Sequence, residues 1–104
     1  MTTIPLSQET QRRLDALFVG SPRQQAAALL VSQCGNNLPF LEASDAHELE
    51  RIRFAALKLS DGNLGKLEQA VQLAQQDWRD VLVAAGFGND ARAHEAWFPG
   101  DHAA

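Results

Sequence analysis

The chain has 104 residues, of which 45% are hydrophobic and 21% are charged, and its net charge is −4. This length corresponds to one domain, and the composition is typical of a folded globular protein rather than a disordered or collagen-like one. The charges are spread evenly, with 4 basic and 6 acidic residues in 1–52 and 5 and 7 in 53–104, which argues against a dedicated nucleic-acid or anionic-membrane surface. We predict one domain over residues 1–104 with mobile ends at 1–4 and 99–104.

Cysteine usage and the apolar runs indicate the compartment. Cys34 is the single cysteine, so it forms no intramolecular disulfide. The first residues lack the basic and apolar regions of a secretory signal, and no apolar run approaches the ~20 residues that span a bilayer. We therefore predict a cytoplasmic, reduced protein with no membrane partner. Cys34 is expected to behave as a small buried hydrophobic residue near a helix end rather than as a reactive thiol.

The first part of the chain carries the signals of two helices. Ser7 is the N-cap candidate of a first helix that ends at Gly20. Ser21 followed by Pro22 is typical of a helix start, and this second helix is expected to end near Gly35.

A third helix is predicted over about residues 45–60, with Ser44 or Asp45 at its start and the Ser60-Asp61-Gly62 signal at its end. In its second half the apolar positions cover most of the circumference. A helix of this kind is normally surrounded by others, so we place it at the centre of the fold.

A long fourth helix is predicted over about residues 63–85, from the cap candidate Asn63 to Gly86. Its apolar residues follow an unbroken 3–4–3–4 spacing, which favours one continuous helix; the alternative is a break at Asp77, whose side chain can cap a separate short helix. The spacing is more typical of a bundle helix than of a self-association seam. A last short helix fits residues 90–97, and no strand pattern is present. The sequence predicts an all-α compact bundle of four to five helices.

Two sequence patterns are shared with a known group of proteins. The chain reads E-R-I-R-F-A-A-L-K-L-S-D-G-N-L over residues 50–64 and D-W-R-D-V-L over residues 77–82. Residues 48–98 thereby resemble a group of short, uncharacterised bacterial proteins with the pattern E-R-x-R-x-A-x-L-K-L followed by D-[WY]-R-D-[VL]-L. The resemblance implies a bacterial origin and one structural unit over residues 45–98. It implies no activity, cofactor or site residue.

Arg53 falls inside the apolar arc of the third helix, where an unpaired buried charge is costly. We predict that it forms an ion pair with Asp77 or Asp80 that joins the third helix to the fourth. The alternative is a pocket in which Arg53, Trp78 and Arg79 bind an anionic group or a small molecule, which would make the protein a ligand-binding regulator.

The histidines do not show the spacing of a local metal site. His47 and His94 each stand in an Ala-His-Glu triplet, and His102 follows near residue 104. No histidine or cysteine lies four residues from any of them, so we predict surface histidines and no metal or other cofactor. Motifs for nucleophilic catalysis and for a phosphate-binding loop are absent, which disfavours an enzyme.

The leading functional hypothesis is a small helical protein–protein interaction module, an adaptor, regulator or subunit that binds another protein or a second copy of itself. It rests on apolar positions that a domain of this size struggles to bury. The proposed anchors are Trp97, Phe98 and Phe40, because large aromatic side chains dominate interfaces; the alternative is that Trp97 and Phe98 close the core. A small basic patch on the first two helices is expected to be a solvated face, so nucleic-acid binding is disfavoured.

Overall fold

In a computed structural model of the chain, residues 5–35, 38, 46–89 and 92–99 are described. Within these ranges lie four α-helices and one short 3-10 helix, and no strand: α1 Gln8–Leu17, α2 Gly20–Gln33, α3 Ala46–Ser60, α4 Leu64–Ala85 and the 3-10 helix Ala93–Ala96. The predicted all-α compact bundle is confirmed. None of the helices described is both long enough and apolar enough to cross a membrane. The predicted mobile ends fall outside the described residues, apart from Pro99.

The N-caps of α1 and α4 and the end of α4 form as the sequence predicts, whereas α1 ends at Leu17, before the predicted Gly20. The Ser7 hydroxyl accepts a hydrogen bond from the backbone N–H of Thr10 at 3.1 Å, and Asn63 Oδ1 accepts one from Lys66 N–H at 3.0 Å. Both caps satisfy backbone donors that the first turn of a helix leaves without a partner. Gly86 ends α4 with a φ of 84°, a left-handed conformation that costs glycine little.

The start of α2 differs from the prediction. The helix begins at Gly20, one residue before the predicted cap Ser21, and its N-cap residue Val19 makes no side-chain capping hydrogen bond. Pro22 still lies in the first turn, where the absence of a backbone N–H costs nothing because no intrahelical acceptor is available there.

Helix α3 forms the centre of the described core, as predicted. Every side chain from Arg51 to Leu57 is buried, and α3 contacts α1, α4 and the 3-10 helix. Burial of each large aliphatic side chain on this helix contributes about 1.5–3 kcal/mol relative to exposure. Because neighbours surround the whole circumference, polar residues of this stretch are buried along with the apolar ones.

Helix α1 runs parallel to α3. At one end the Ser7 hydroxyl donates to Glu50 Oε1 at 2.7 Å, close to the start of α3. At the other end Leu17 lies against the turn that follows α3, where a Cβ at Gly62 would approach the Leu17 carbonyl oxygen to 3.2 Å. Gly62 also has a φ of 79°, so both the close approach and the backbone conformation require glycine here.

Helix α4 is kinked at Asp77, so the prediction of one continuous helix is wrong and the alternative break is correct. Asp77 is extended, with φ −162° and ψ 104°, and its carboxylate accepts from Arg79 N–H at 3.1 Å in the geometry of an N-cap. The segment after the kink returns to α3, where Lys58 Nζ donates to the Ala85 carbonyl at 2.8 Å. The 3–4 spacing continues through the kink because both segments bury an apolar face.

Cys34 is fully buried at the end of α2 and forms no disulfide. Burial raises the pKa of its thiol to about 12, although the charge of Arg53 acts in the opposite direction. The thiol is therefore protonated at neutral pH, and Cys34 packs as the small buried hydrophobic residue that the sequence indicates.

Candidate functional site

Arg53 is buried as predicted, with 2% of its surface exposed. Its Nε donates to the Cys34 carbonyl at 2.9 Å and one terminal nitrogen donates to the Pro5 carbonyl at 3.0 Å. Burial lowers the pKa of Arg53, and the nearby Glu50 carboxylate opposes this change. Arg53 thus ties the end of α2 and the segment before α1 to α3.

The residues predicted to accompany Arg53 lie elsewhere. Asp77 forms an ion pair with Arg79 at 2.8 Å, and the Arg79 side chain is 60% exposed. Among the ion pairs of the described residues, none joins Arg53 to Asp77 or Asp80. The structure brings Arg79 and Asp77 together but does not bring either of them to Arg53.

Trp78, the third residue of the predicted pocket, is half-buried on α4, and its buried Nε1 has no hydrogen-bond partner among the described residues. The cavity beside Arg53 has a volume of about 300 Å³ and is lined by residues of segments 5–10 and 47–53. Trp78 and Arg79 are on neither segment. The geometry therefore does not assemble the predicted anion pocket.

Trp97 packs into the core rather than onto an open surface. Its ring lies 6.3 Å from the ring of Phe54 and 6.3 Å from that of Phe87, both of which are buried. These contacts favour the alternative that Trp97 closes the core. Phe40, the third predicted anchor, lies outside the described residues.

Phe98, the residue after Trp97, lies against Arg12 and Arg13 of α1. Its ring is half-buried, and the guanidinium carbons of Arg12 and Arg13 lie 5.4 and 5.1 Å from its centroid. Arg13 is buried, and its Nε donates to the Trp97 carbonyl at 3.0 Å. Of the two described anchors, Trp97 packs against the buried core, whereas the Phe98 ring contacts the charged side chains of Arg12 and Arg13.

His94 is buried, contrary to the prediction of a surface histidine. Only 1% of its surface is exposed, and its ring centroid lies 5.2 Å from that of His47 and 5.1 Å from that of Phe54. Its Nδ1 is buried and has no hydrogen-bond partner in the described part of the chain. Buried polar atoms in folded proteins nearly always have a partner, so this nitrogen is an exception that calls for an explanation.

Three side chains of metal-ligating type meet at this position. One ligand atom each from His47, His94 and Glu95 lies within 4.8 Å of the others, with His47 and Glu95 exposed. His47 comes from the first turn of α3, whereas His94 and Glu95 come from the 3-10 helix. The packing of the 3-10 helix against α3 creates the cluster.

A cavity of about 340 Å³ adjoins the cluster. It is lined by Glu9, Arg13, Glu50, Phe54, His94 and Glu95. Glu50 also lines the 300 Å³ cavity next to Arg53, and its carboxylate accepts the hydrogen bond from Ser7. Carboxylates, an imidazole and an aromatic wall therefore face one partly enclosed space.

The surroundings of His94 favour its neutral form. Burial lowers the pKa of His94, and the neighbouring His47 lowers it further, while the carboxylates of Glu95 and Glu50 act in the opposite direction. A neutral imidazole carries a lone pair that can accept a hydrogen bond or bind a metal ion.

The sequence contained one signal for this cluster, namely the two Ala-His-Glu triplets. The triplets do not predict the cluster, because spacing along the chain does not indicate that residues 47 and 94 are close in space. The prediction of surface histidines followed from a rule for ligands on one helix, whereas the observed cluster forms between two elements.

No protein-family model, no curated protein and no solved structure matches this chain. The resemblance of residues 48–98 to short bacterial proteins stays a prediction.

Proposed function

We propose that the protein is a helical protein–protein interaction module of the bacterial cytoplasm that binds a protein partner through the Phe98 surface, defined here as Phe98, Arg12 and Glu9. The observation that carries this proposal is the half-buried ring of Phe98, which contacts the guanidinium groups of Arg12 and Arg13. Aromatic and arginine side chains are enriched at the centres of protein interfaces.

The ring of Phe98 is held in place before any partner binds. Buried Arg13 donates to the Trp97 carbonyl at 3.0 Å and to the Glu9 carboxylate at 2.9 Å, so it links α1 to the backbone next to Phe98. Trp97 N–H donates to the His94 carbonyl at 3.1 Å, which fixes the same segment from the other side. A side chain that is ordered in advance loses less conformational entropy on binding, which supports a role as an anchor.

Arg12 adds a polar rim to this surface. Its side chain is 58% exposed and pairs with Glu9 at 3.1 Å. An exposed pair of this kind contributes little to stability, so its charges remain available to a partner at small cost. An aromatic centre with a charged rim is the usual composition of a non-obligate interface.

The rival function, an anion-binding regulator at Arg53, Trp78 and Arg79, has less support. The hydrogen bonds of Arg53 run to the carbonyls of Cys34 and Pro5, and Arg79 pairs with Asp77. These contacts engage both guanidinium groups within the chain.

The test is affinity purification of the tagged chain from cells that naturally express it, at moderate salt, followed by mass spectrometry and mass determination of the eluate. Moderate salt removes weak electrostatic contacts with nucleic acid. Phe98→Ser is compared with Val83→Ser, a matched control because Val83 is also an apolar side chain and is 68% exposed on α4. Thermal denaturation of each variant shows whether its fold is intact.

We expect a stoichiometric partner, either a different protein or a second copy. Val83→Ser should recover the same amount of this partner as the wild type, whereas Phe98→Ser should recover at least tenfold less. Retention of the partner by Phe98→Ser would overturn the assignment of the surface. A wild-type chain that elutes as a monomer without partner would overturn the interaction module itself.

A further inference from the structure

We propose that His47, His94 and Glu95 form a binding site for one divalent transition-metal ion of the zinc class. The three side chains offer two imidazole nitrogens and one carboxylate oxygen that lie within 4.8 Å of one another. Two histidines and one carboxylate are a common ligand set for zinc and for related divalent ions. None of the three ligands belongs to the Phe98 surface, although Glu9 of that surface lines the cavity beside them.

His94 is buried with a ring nitrogen that makes no hydrogen bond to the described residues, which supports a ligand at this position. Its side chain is almost completely buried, lines the 340 Å³ cavity, and has an Nδ1 without a hydrogen-bond partner among the described residues. Such a nitrogen destabilises the fold unless something else supplies the interaction. A metal ion bound by this imidazole would orient the ring and supply an interaction at this buried position.

The second support is that the other two ligands can move. Ligand atoms on one zinc ion lie about 2 Å from the metal, so the three atoms must approach one another by a small distance from their present separation. His47 and Glu95 are both exposed, so core packing constrains their side chains less than that of buried His94. Glu95 pairs with Arg92 at 3.1 Å, but this is an exposed pair of the weak kind that a metal ion can displace.

The third support is the charge around the cavity. The guanidinium of Arg13 is held by Glu9, and that of Arg51 is paired with Glu48 and donates to a backbone carbonyl of Phe87 at 2.9 Å. The carboxylate of Glu50 also lines the cavity, close enough to act on the charge of His94. Each of these two arginines is thus paired with a carboxylate, which reduces its repulsion of a bound cation.

The ligand set also indicates the class of metal. Imidazole ligands favour zinc, cobalt, nickel or copper over magnesium and calcium, which prefer oxygen. Three protein ligands leave one coordination position of a zinc ion open, and here that position adjoins a cavity that can admit water or a small ligand.

The test is a calorimetric titration of the tag-free, metal-stripped full-length chain with Zn²⁺, repeated with Co²⁺ to record visible absorption of the bound ion. The variants are His47→Ala and Glu95→Ala, whose side chains are exposed, so their folds are expected to survive. The controls are Glu68→Gln, an exposed carboxylate on α4, and His102→Ala, which removes the remaining histidine. His94→Gln is added where thermal denaturation shows that it folds.

We expect one Zn²⁺ per chain, with affinity at least tenfold weaker in His47→Ala and in Glu95→Ala and unchanged in the two controls. Co²⁺ is expected to give an absorption band in the wild type that both ligand variants lose. Absence of stoichiometric binding would overturn the proposal. So would an unchanged affinity in His47→Ala or Glu95→Ala, or a loss of binding in His102→Ala.

Discussion

Two side chains, Arg53 and His94, are equally buried but differ in their hydrogen bonds to the surrounding protein. Arg53 has 2% of its surface exposed and donates to two backbone carbonyls, so its charge holds three segments together. His94 has 1% exposed, yet its Nδ1 has no partner among the described residues. Equal burial therefore does not mean an equal role: a satisfied polar group stabilises the fold, whereas an unsatisfied one beside a cavity is a candidate for binding.

The largest expected effect comes from Arg53→Met. The carbonyls of Cys34 and Pro5 would lose their donor, and we expect the free energy of unfolding to fall by about 2–3 kcal/mol because a buried acceptor without a partner is costly. Urea denaturation measures this change. Arg79→Met is the matched control, since its pair with Asp77 is exposed, and it should change stability far less than Arg53→Met does. Equal effects of the two variants would show that Arg53 is not a structural tie.

An opposite sign is expected for His94→Leu. In metal-free buffer this variant should raise the free energy of unfolding by about 1 kcal/mol, because a leucine of similar volume removes a buried nitrogen that has no hydrogen-bond partner in the described segments. The same denaturation experiment measures it. With saturating Zn²⁺ the order should reverse, since only the wild type gains stability from binding. If His94→Leu lost as much stability in metal-free buffer as Arg53→Met does, His94 would be a stabilising residue like Arg53, and the proposed difference between them would be wrong.

The smallest effect is the dependence of stability on pH. The pKa of His94 is lowered in the native state by burial and by His47, against an ordinary value of 6.5 in the unfolded chain. The unfolded state therefore takes up a proton first as the pH falls through about 6.5, so the contribution of His94 is fully present above that pH and is lost below it. We expect the stability of the wild type to decline more than that of His94→Leu between about pH 7.5 and pH 5. A constant difference between the two proteins would contradict the lowered pKa.

Much of the fold is predictable from the sequence because local signals and periodicity agree. Ser7 and Asn63 are caps that satisfy neighbouring N–H groups, and the apolar circumference of α3 indicates a central helix. The helical wheel also places Arg53 in the buried arc, which the structure bears out. These features depend on residues within a few positions of one another.

The parts that the sequence did not predict depend on tertiary contacts. At Asp77 the spacing of apolar residues is the same for a straight and for a kinked helix, so the spacing does not distinguish the two. The partners of Arg53 seen among the described residues are backbone carbonyls, which every residue carries and which no side-chain pattern can reveal. His94 meets His47 across a separation that no local spacing rule addresses.

The hydrogen bond from Arg13 to the Trp97 carbonyl joins positions that are 84 residues apart. A contact of this kind closes a long loop, and closing a long loop costs conformational entropy. The contact therefore forms later than contacts within a helical hairpin such as α3 and α4. The Phe98 surface and the histidine cluster both depend on the same docking of the 3-10 helix segment against α1 and α3. The two candidate binding regions should therefore assemble together, late in folding, and be the first parts of the molecule to open when the chain fluctuates.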